Sequence, residues 1–145
     1  MNNAILIPTD FSAQSRMALR FAVDNLASAS APTRLVLLNA YANMPRISAP
    51  MISLHDILKR RSEEGLQREH DFVKTLLNGN ADRIDIRQVS RPDTLKKAIR
   101  YILARESVQM IVLGSDQSNR NFDPCDLVES FRTPILLVPS LGAKN

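Results

Sequence analysis

Met110-Ile111-Val112-Leu113-Gly114 opens the stretch that decides the fold, and Pro134-Ile135-Leu136-Leu137-Val138-Pro139 closes it. Each is a short apolar run, typical of a strand that is buried on both faces of a parallel sheet. Between them lies a polar connector, in which Asp123-Pro124 opens a short helix. Strand, glycine turn, helix and strand in this order predict a parallel α/β sheet, in which ligands bind beyond the carboxyl ends of the strands.

The same alternation of strands and helices extends upstream through the chain. Two further buried strands are predicted at Ala4 to Pro8 and at Leu35 to Tyr41. Ile84 to Val89 alternates apolar and polar residues, so this third strand is expected near an edge with one face wet. Five strands and four helices with right-handed crossovers predict an α/β fold with a doubly wound, open parallel sheet and helices on both faces.

Three longer helices are predicted between these strands. Ser12 can cap the first, whose inward stripe is Ala18, Phe21, Ala22 and Leu26. The second runs from about Ser53 to Leu77, with Gly65 as a candidate for a kink and Asn78-Gly79-Asn80 as its stop. The third begins after Pro92-Asp93 and leaves Lys96, Lys97, Arg100 and Arg105 outside its apolar stripe.

Length and composition indicate one domain over residues 1–145, with 44% apolar and 23% charged residues. No apolar run approaches the ~20 residues of a membrane span, so no membrane partner is expected. The start of the chain has no basic leader, and a single cysteine, Cys125, cannot form an internal disulfide. These features predict a cytoplasmic protein. A net charge of +4 without stacking aromatics in its basic stretches predicts no nucleic-acid partner.

The binding crevice is expected where the carboxyl ends of three strands meet. Its residues would be Pro8-Thr9-Asp10 after the first strand, Asn39-Ala40-Tyr41 after the second, and Gly114-Ser115-Asp116 after the fourth. Asp10 can either hold a ribose hydroxyl or serve as a loop or capping residue. Gly114 can either approach a phosphate or only permit a tight turn, and the turn is the favoured interpretation.

Enzymatic chemistry has little support in the sequence. The glycine-rich and nucleophile-elbow motifs of dinucleotide, triphosphate and ester chemistry are missing. His55 and His70 are fifteen residues apart on one predicted helix, roughly 22 Å, which is too far to share a metal. Cys125 has no histidine nearby in the sequence, so it is interpreted as a buried residue. We therefore expect neither catalytic nor metal-binding residues.

The chain resembles the universal stress protein family over essentially its whole length. The resemblance is carried by Ile5-Leu6-Ile7-Pro8-Thr9-Asp10-Phe11-Ser12 with Ala18-Leu19-Arg20-Phe21-Ala22, and by the two apolar stretches quoted at the outset. It implies strand order 3-2-1-4-5, a cytoplasmic location, and a homodimer that pairs the last strands of two subunits. The pairing strand would be Ile135, Leu136, Leu137 and Val138.

Members of that family that bind ATP resemble one another in a motif G-x2-G-x9-G-[ST] after the fourth strand. Counted from Gly114, this chain has Gln117, Leu127 and Val128 at the three remaining positions. Counted back from Pro134, the last pair falls on Asn121-Phe122. The motif is degenerate in both alignments, which implies that the phosphate cradle is lost. Asp10 and Ala40 match the positions that contact ribose and adenine in binders.

The sequence is compatible with two functions. The first is a non-enzymatic stress-response or regulatory protein that acts as a dimeric interaction module, with an unidentified protein partner and without firm ATP binding. The second is an adenine-nucleotide switch that binds ATP or AMP. In the second case the nucleotide would contact Pro8, Thr9, Asp10, Ala40, Gly114 and Ser115.

Overall fold

A five-stranded parallel sheet with helices on both faces forms the fold, as predicted. The computed structural model describes residues 3–25, 33–42, 54–77, 84–114 and 124–139. The strand order is β3-β2-β1-β4-β5 and every adjacent pair is parallel. The elements are β1 (Asn3–Pro8), α1 (Ala13–Asn25), β2 (Thr33–Ala40), α2 (Leu54–Leu77), β3 (Ile84–Arg91), α3 (Leu95–Leu103), β4 (Val108–Gly114), α4 (Pro124–Ser130) and β5 (Ile135–Val138).

Two hydrophobic cores lie on opposite faces of the sheet. Because side chains alternate along a strand, Ile5 and Ile7 of β1 face α1 and α2, whereas Leu6 faces α3 and α4. The central strands are buried on both faces, which accounts for their uninterrupted apolar sequences. β3 is an edge strand with alternating burial, as its sequence predicts.

The first helix has the predicted N-cap, but only part of its predicted inward-facing apolar stripe is buried. The Ser12 hydroxyl accepts a hydrogen bond from the Ser15 N–H at 3.2 Å, as an N-cap residue does. Ala18 and Ala22 are fully buried. Phe21 was predicted to face inward, and this was wrong, because 37% of its surface is exposed. Leu26 lies outside the described residues.

Gly65 lies within a continuous helix and is explained by a neighbouring ring. α2 runs without interruption from Leu54 to Leu77, so the glycine does not divide it. A Cβ on Gly65 would lie 2.4 Å from Cζ of Phe11, which is too close for any real contact. Glycine therefore lets the Phe11 ring rest on the backbone of α2.

An ion pair also joins α1 to α2. The guanidinium of Arg16 donates to both carboxylate oxygens of Glu69, at 3.1 and 3.0 Å, and lies 4.3 Å from the ring centroid of Phe72. Glu69 is buried, so this bidentate pairing satisfies a carboxylate that would otherwise be costly to desolvate. The sequence also predicts a surface loop from Ala42 to Pro50, and beyond Ala42 this loop lies outside the described residues, as does the predicted stop at 78–80.

Candidate functional site

The carboxyl ends of β1, β2 and β4 meet at one edge of the sheet. β1 lies between β2 and β4, and the chain builds the sheet outward from β1 to β3 on one side before it crosses back to β4 on the other. Such a reversal of strand order creates a crevice beyond the carboxyl ends. Pro8, at the end of β1, pairs with Leu38, and the Thr9 N–H donates to the Leu38 carbonyl at 2.8 Å.

The loop that follows β1 is held by its own polar side chains. Thr9 is 5% exposed, and its hydroxyl accepts from the Phe11 N–H at 3.0 Å and lies 2.9 Å from the Ser15 hydroxyl. The Asp10 carboxylate accepts from the Ser12 N–H at 3.0 Å. The bond that Asp10 makes to its own loop matches the second of its two interpretations, a loop or capping residue.

Phe11 carries the unusual backbone of this loop. Its φ is +66°, a left-handed conformation that bulky L-residues rarely adopt. The hydrogen bond from its N–H to Thr9 and the contact of its ring with Gly65 hold it there. The loop that carries Asp10 is therefore fixed to the middle of α2.

Asn39 joins β1 to β2 at the rim of the crevice. It is 2% exposed, and its Nδ2 donates to the Thr9 carbonyl at 2.8 Å. Its Oδ1 is buried and has no hydrogen-bond partner among the described residues. Ala40, the residue that matches an adenine contact, follows directly and is half-buried.

Tyr41 lies at the same rim of the crevice, near the start of α2. Its N–H donates to the Arg91 carbonyl at 2.9 Å, and its ring centroid lies 5.9 Å from that of His55. Burial, with a smaller contribution from Glu63, raises the pKa of the Tyr41 phenol above its ordinary value. The phenol is therefore a neutral group at physiological pH.

Gly114 is the last residue of β4. It is buried and pairs with Val138 of β5. Its two interpretations, a turn or a phosphate contact, depend on the residues that follow and stay predictions. Ser115 and the rest of the connector at 115–123 lie outside the described residues, and so does the side chain of Cys125.

The predicted site residues thus divide into two groups. Pro8, Thr9, Asp10, Ala40 and Gly114 all lie at the carboxyl edge of adjacent strands, as expected from the sequence. Ser115 is outside the described part of the chain. The sequence assigned no role to Phe11 and only a kink to Gly65, because neither a left-handed phenylalanine nor its contact 54 positions away leaves a local signal.

A second candidate site lies along the outer edge of the sheet. Phe21 of α1 and the residues of β5 line an apolar groove of about 200 Å³. Phe21 and Leu137 are each 37% exposed, although both are large and apolar. The lining residues are Phe21, Leu136, Leu137, Val138 and Pro139.

Metal and membrane chemistry find no support in the described ranges. No group of three His, Cys, Asp or Glu side chains there could hold a metal ion. Within the same ranges, no helix combines the length and apolar character that crossing a membrane requires.

Comparisons with known proteins agree on the fold. The family model described as universal stress protein family matches residues 1–122. A universal stress protein family member from Burkholderia pseudomallei superposes with a TM-score of 0.68 at 20% identity, covering 94% of this chain and 96% of that one. No curated protein sequence matches this chain.

Two similar solved structures contain a nucleotide. One is a universal stress protein in complex with cAMP, with a TM-score of 0.66 at 19% identity, covering 94% of this chain and 96% of that one. The other, from Arabidopsis thaliana, has AMP bound, with a TM-score of 0.70 at 11% identity, covering 98% and 94%. At these identities the likeness concerns the fold.

Proposed function

The chain belongs to the universal stress protein family, and from this premise we propose that it is a non-enzymatic, dimeric interaction module in the stress response. Two copies would pair through β5. The observation that carries the proposal is the apolar outer edge of the sheet, where Leu137 and Phe21 each leave 37% of their surface exposed beside a groove.

The backbone of β5 supports this pairing. The Ile111 N–H donates to the Pro134 carbonyl at 2.9 Å, so the carbonyl of Pro134 points toward β4. Backbone groups alternate along a strand, so those of Leu136 also face β4, whereas those of Ile135 and Leu137 face outward. An outward row of unpaired groups beside apolar side chains is a template for a second strand. A second copy of β5 would satisfy it with twofold symmetry.

Firm ATP binding is not part of the proposal. In the alignment counted from Gly114, the third glycine and the hydroxyl residue of the binder motif would fall on Leu127 and Val128, which lie inside α4. Leu127 is 3% exposed and packs in the core on the α3 side, so it cannot offer a phosphate a backbone N–H. α4 begins at Pro124, a residue without an N–H.

A second candidate function is the binding of an adenine nucleotide that has one phosphate. Thr9, Asp10 and Ala40 lie together at the carboxyl edge of β1 and β2, and the similar structures with cAMP and AMP carry ligands of this size. A monophosphate needs fewer phosphate contacts than ATP. The crevice could therefore bind an adenine nucleotide with one phosphate even though the phosphate-binding motif is degenerate.

A paired substitution tests the dimer. Leu137→Lys would put a charge into the proposed seam, and Val128→Lys puts the same charge at a 50% exposed apolar residue of α4. Light scattering should give a dimer for the wild type and Val128→Lys, and a monomer of 16.2 kDa or an aggregate for Leu137→Lys. An unchanged dimer for Leu137→Lys would exclude this seam.

A further inference from the structure

The outer side of α3 carries positive charge that no acidic residue of the helix offsets. Its nine residues include Lys96, Lys97 and Arg100 and no acidic residue. By contrast, α2 has five cationic and five acidic residues. A surplus of three positive charges on one short helix is large compared with the formal net charge of +4 for the whole chain.

Most of this charge is not neutralised within the described residues. Lys96 pairs with Asp126 of α4 at 2.6 Å. Lys97, Arg100 and Arg105 are exposed, and no carboxylate of the described ranges lies within 4.0 Å of their nitrogens. Three neighbouring cations are therefore available to an external anion.

Lys97 occupies a position where the helix itself favours the opposite charge. Thr94 is the N-cap of α3, and its hydroxyl accepts from the Lys97 N–H at 3.3 Å. A glutamate at the Lys97 position would complete a capping box and would interact favourably with the helix dipole. A cation that weakens its own helix and pairs with no described neighbour indicates a use outside the chain.

The arginines of this surface are held in place by aromatic rings. The guanidinium carbons of Arg91 and Arg105 both lie 3.8 Å from the ring centroid of Tyr101. Arg105 also donates from Nη1 to the Tyr101 carbonyl at 3.1 Å, and Arg100 lies 5.9 Å from the centroid of Phe131. Arg91 uses its Nε and Nη2 on Asp93. A stacked guanidinium that pairs with no carboxylate, such as that of Arg105, still has N–H groups to donate and loses less conformational freedom on binding.

We propose that the α3 face, defined as Lys97, Arg100, Tyr101 and Arg105, binds a short acidic segment of a partner protein. The inference rests on the proposed function, because it names the partner that an interaction module would bind. Lys97 and Arg105 are eight residues apart, roughly 12 Å along a helical path. An extended peptide covers that length in about four residues.

A protein segment fits this surface better than a nucleic acid. The ring of Tyr101 is already occupied by two guanidiniums, so it offers no free platform for a base. Asp93 and Asp126 flank the α3 face and would repel a phosphate backbone that continued past it. A short acidic peptide can end before it meets them.

The test measures binding of a fluorescein-labelled tetraglutamate peptide by anisotropy at low salt. Wild-type protein should bind, and affinity should fall as salt rises. Lys97→Glu and Arg100→Glu should each weaken binding about tenfold or more. Arg68→Glu makes the same charge change at an exposed cation of α2 and should stay within about twofold of wild type. Lys97→Glu should also raise the melting temperature, because it completes the capping box.

Three results would overturn the proposal. They are no peptide binding at low salt, an equal loss in Arg68→Glu, and tighter binding of a mixed-sequence DNA strand of equal charge than of the peptide. The dimer is tested separately, since the α3 face shares no residue with β5. The Leu137→Lys monomer should bind the peptide as the wild type does, so either proposal can fail without the other.

Discussion

The ring of Phe11 rests on the backbone of Gly65, 54 residues away, so closely that a Cβ on the glycine would lie 2.4 Å from Cζ and 2.6 Å from both Cε atoms. Phe11 reaches this place with a φ of +66°. The contact ties the loop that carries Asp10 to the middle of α2, and it explains a glycine inside a continuous helix.

Gly65→Ala should destabilise the protein by about 1–3 kcal/mol, because the Phe11 ring must move. This loss should exceed the gain of about 1 kcal/mol that alanine brings to a helix interior. The measurement is urea unfolding of the variant against the wild type.

The same substitution in a Phe11→Gly background tests whether the Phe11 ring causes the loss of stability. In Phe11→Gly, the ring is gone and glycine accepts the positive φ, so Gly65→Ala should now stabilise the helix by about 1 kcal/mol. If Gly65→Ala has the same sign in both backgrounds, the two residues are not coupled as described.

His70 gives the stability a pH dependence. Burial lowers the pKa of the His70 imidazole below its ordinary value, and Lys74 lowers it further while Asp71 opposes the change. His70 Nδ1 lies 2.8 Å from Gln88 Nε2, a contact in which only a neutral imidazole can accept. The folded state therefore binds protons less readily than the unfolded state.

As the pH falls, the histidine of the unfolded state is protonated before that of the folded state. The contribution of His70 to the free energy of unfolding should therefore be fully present above about pH 6.5 and should decrease as the pH is lowered through that value. His70→Gln should retain a polar contact with Gln88 and lose this part of the pH dependence. Melting temperatures between pH 7.5 and 5.5 provide the comparison, and identical slopes for both proteins would contradict the role of His70.

Nucleotide binding should depend on the number of phosphates. Under the proposed function, millimolar ATP with magnesium should leave the melting temperature unchanged, because the motif positions counted from Gly114 fall on Leu127 and Val128 inside α4. If the second candidate function applies, AMP should raise the melting temperature, since a ligand at 100 Kd adds about 2.7 kcal/mol to the free energy of unfolding.

Asp10→Asn is the matching variant for the nucleotide titration. Its amide oxygen can still accept from the Ser12 N–H, so the loop is retained while the negative charge is removed. The shift with AMP should shrink in this variant. A shift with ATP as large as that with AMP would contradict the loss of the phosphate cradle.

The sequence predicts the elements of this fold well and its long-range contacts poorly. The apolar runs at β1, β2, β4 and β5 and the alternating pattern of β3 are local signals, and each corresponds to a strand. The strand order follows from resemblance to the family, because local patterns do not encode which strands are neighbours. The order is confirmed.

The error at Phe21 has a cause that the local sequence does not contain. Phe21 falls on the apolar stripe of α1, but α1 packs near the edge of the sheet, where the stripe extends past the core. Strands that are distant in sequence therefore decide how much of the stripe is covered.

The exchange of the β5 amides with deuterium tests the central claim, the pairing of two copies through β5, most directly. Leu136 directs its N–H toward β4 and should be protected at any protein concentration, which makes it the internal reference. Leu137 directs its N–H outward, so its amide should be protected in the wild type and should exchange rapidly in Leu137→Lys. Rapid exchange of the Leu137 amide in concentrated wild-type protein, with Leu136 still protected, would contradict the dimer.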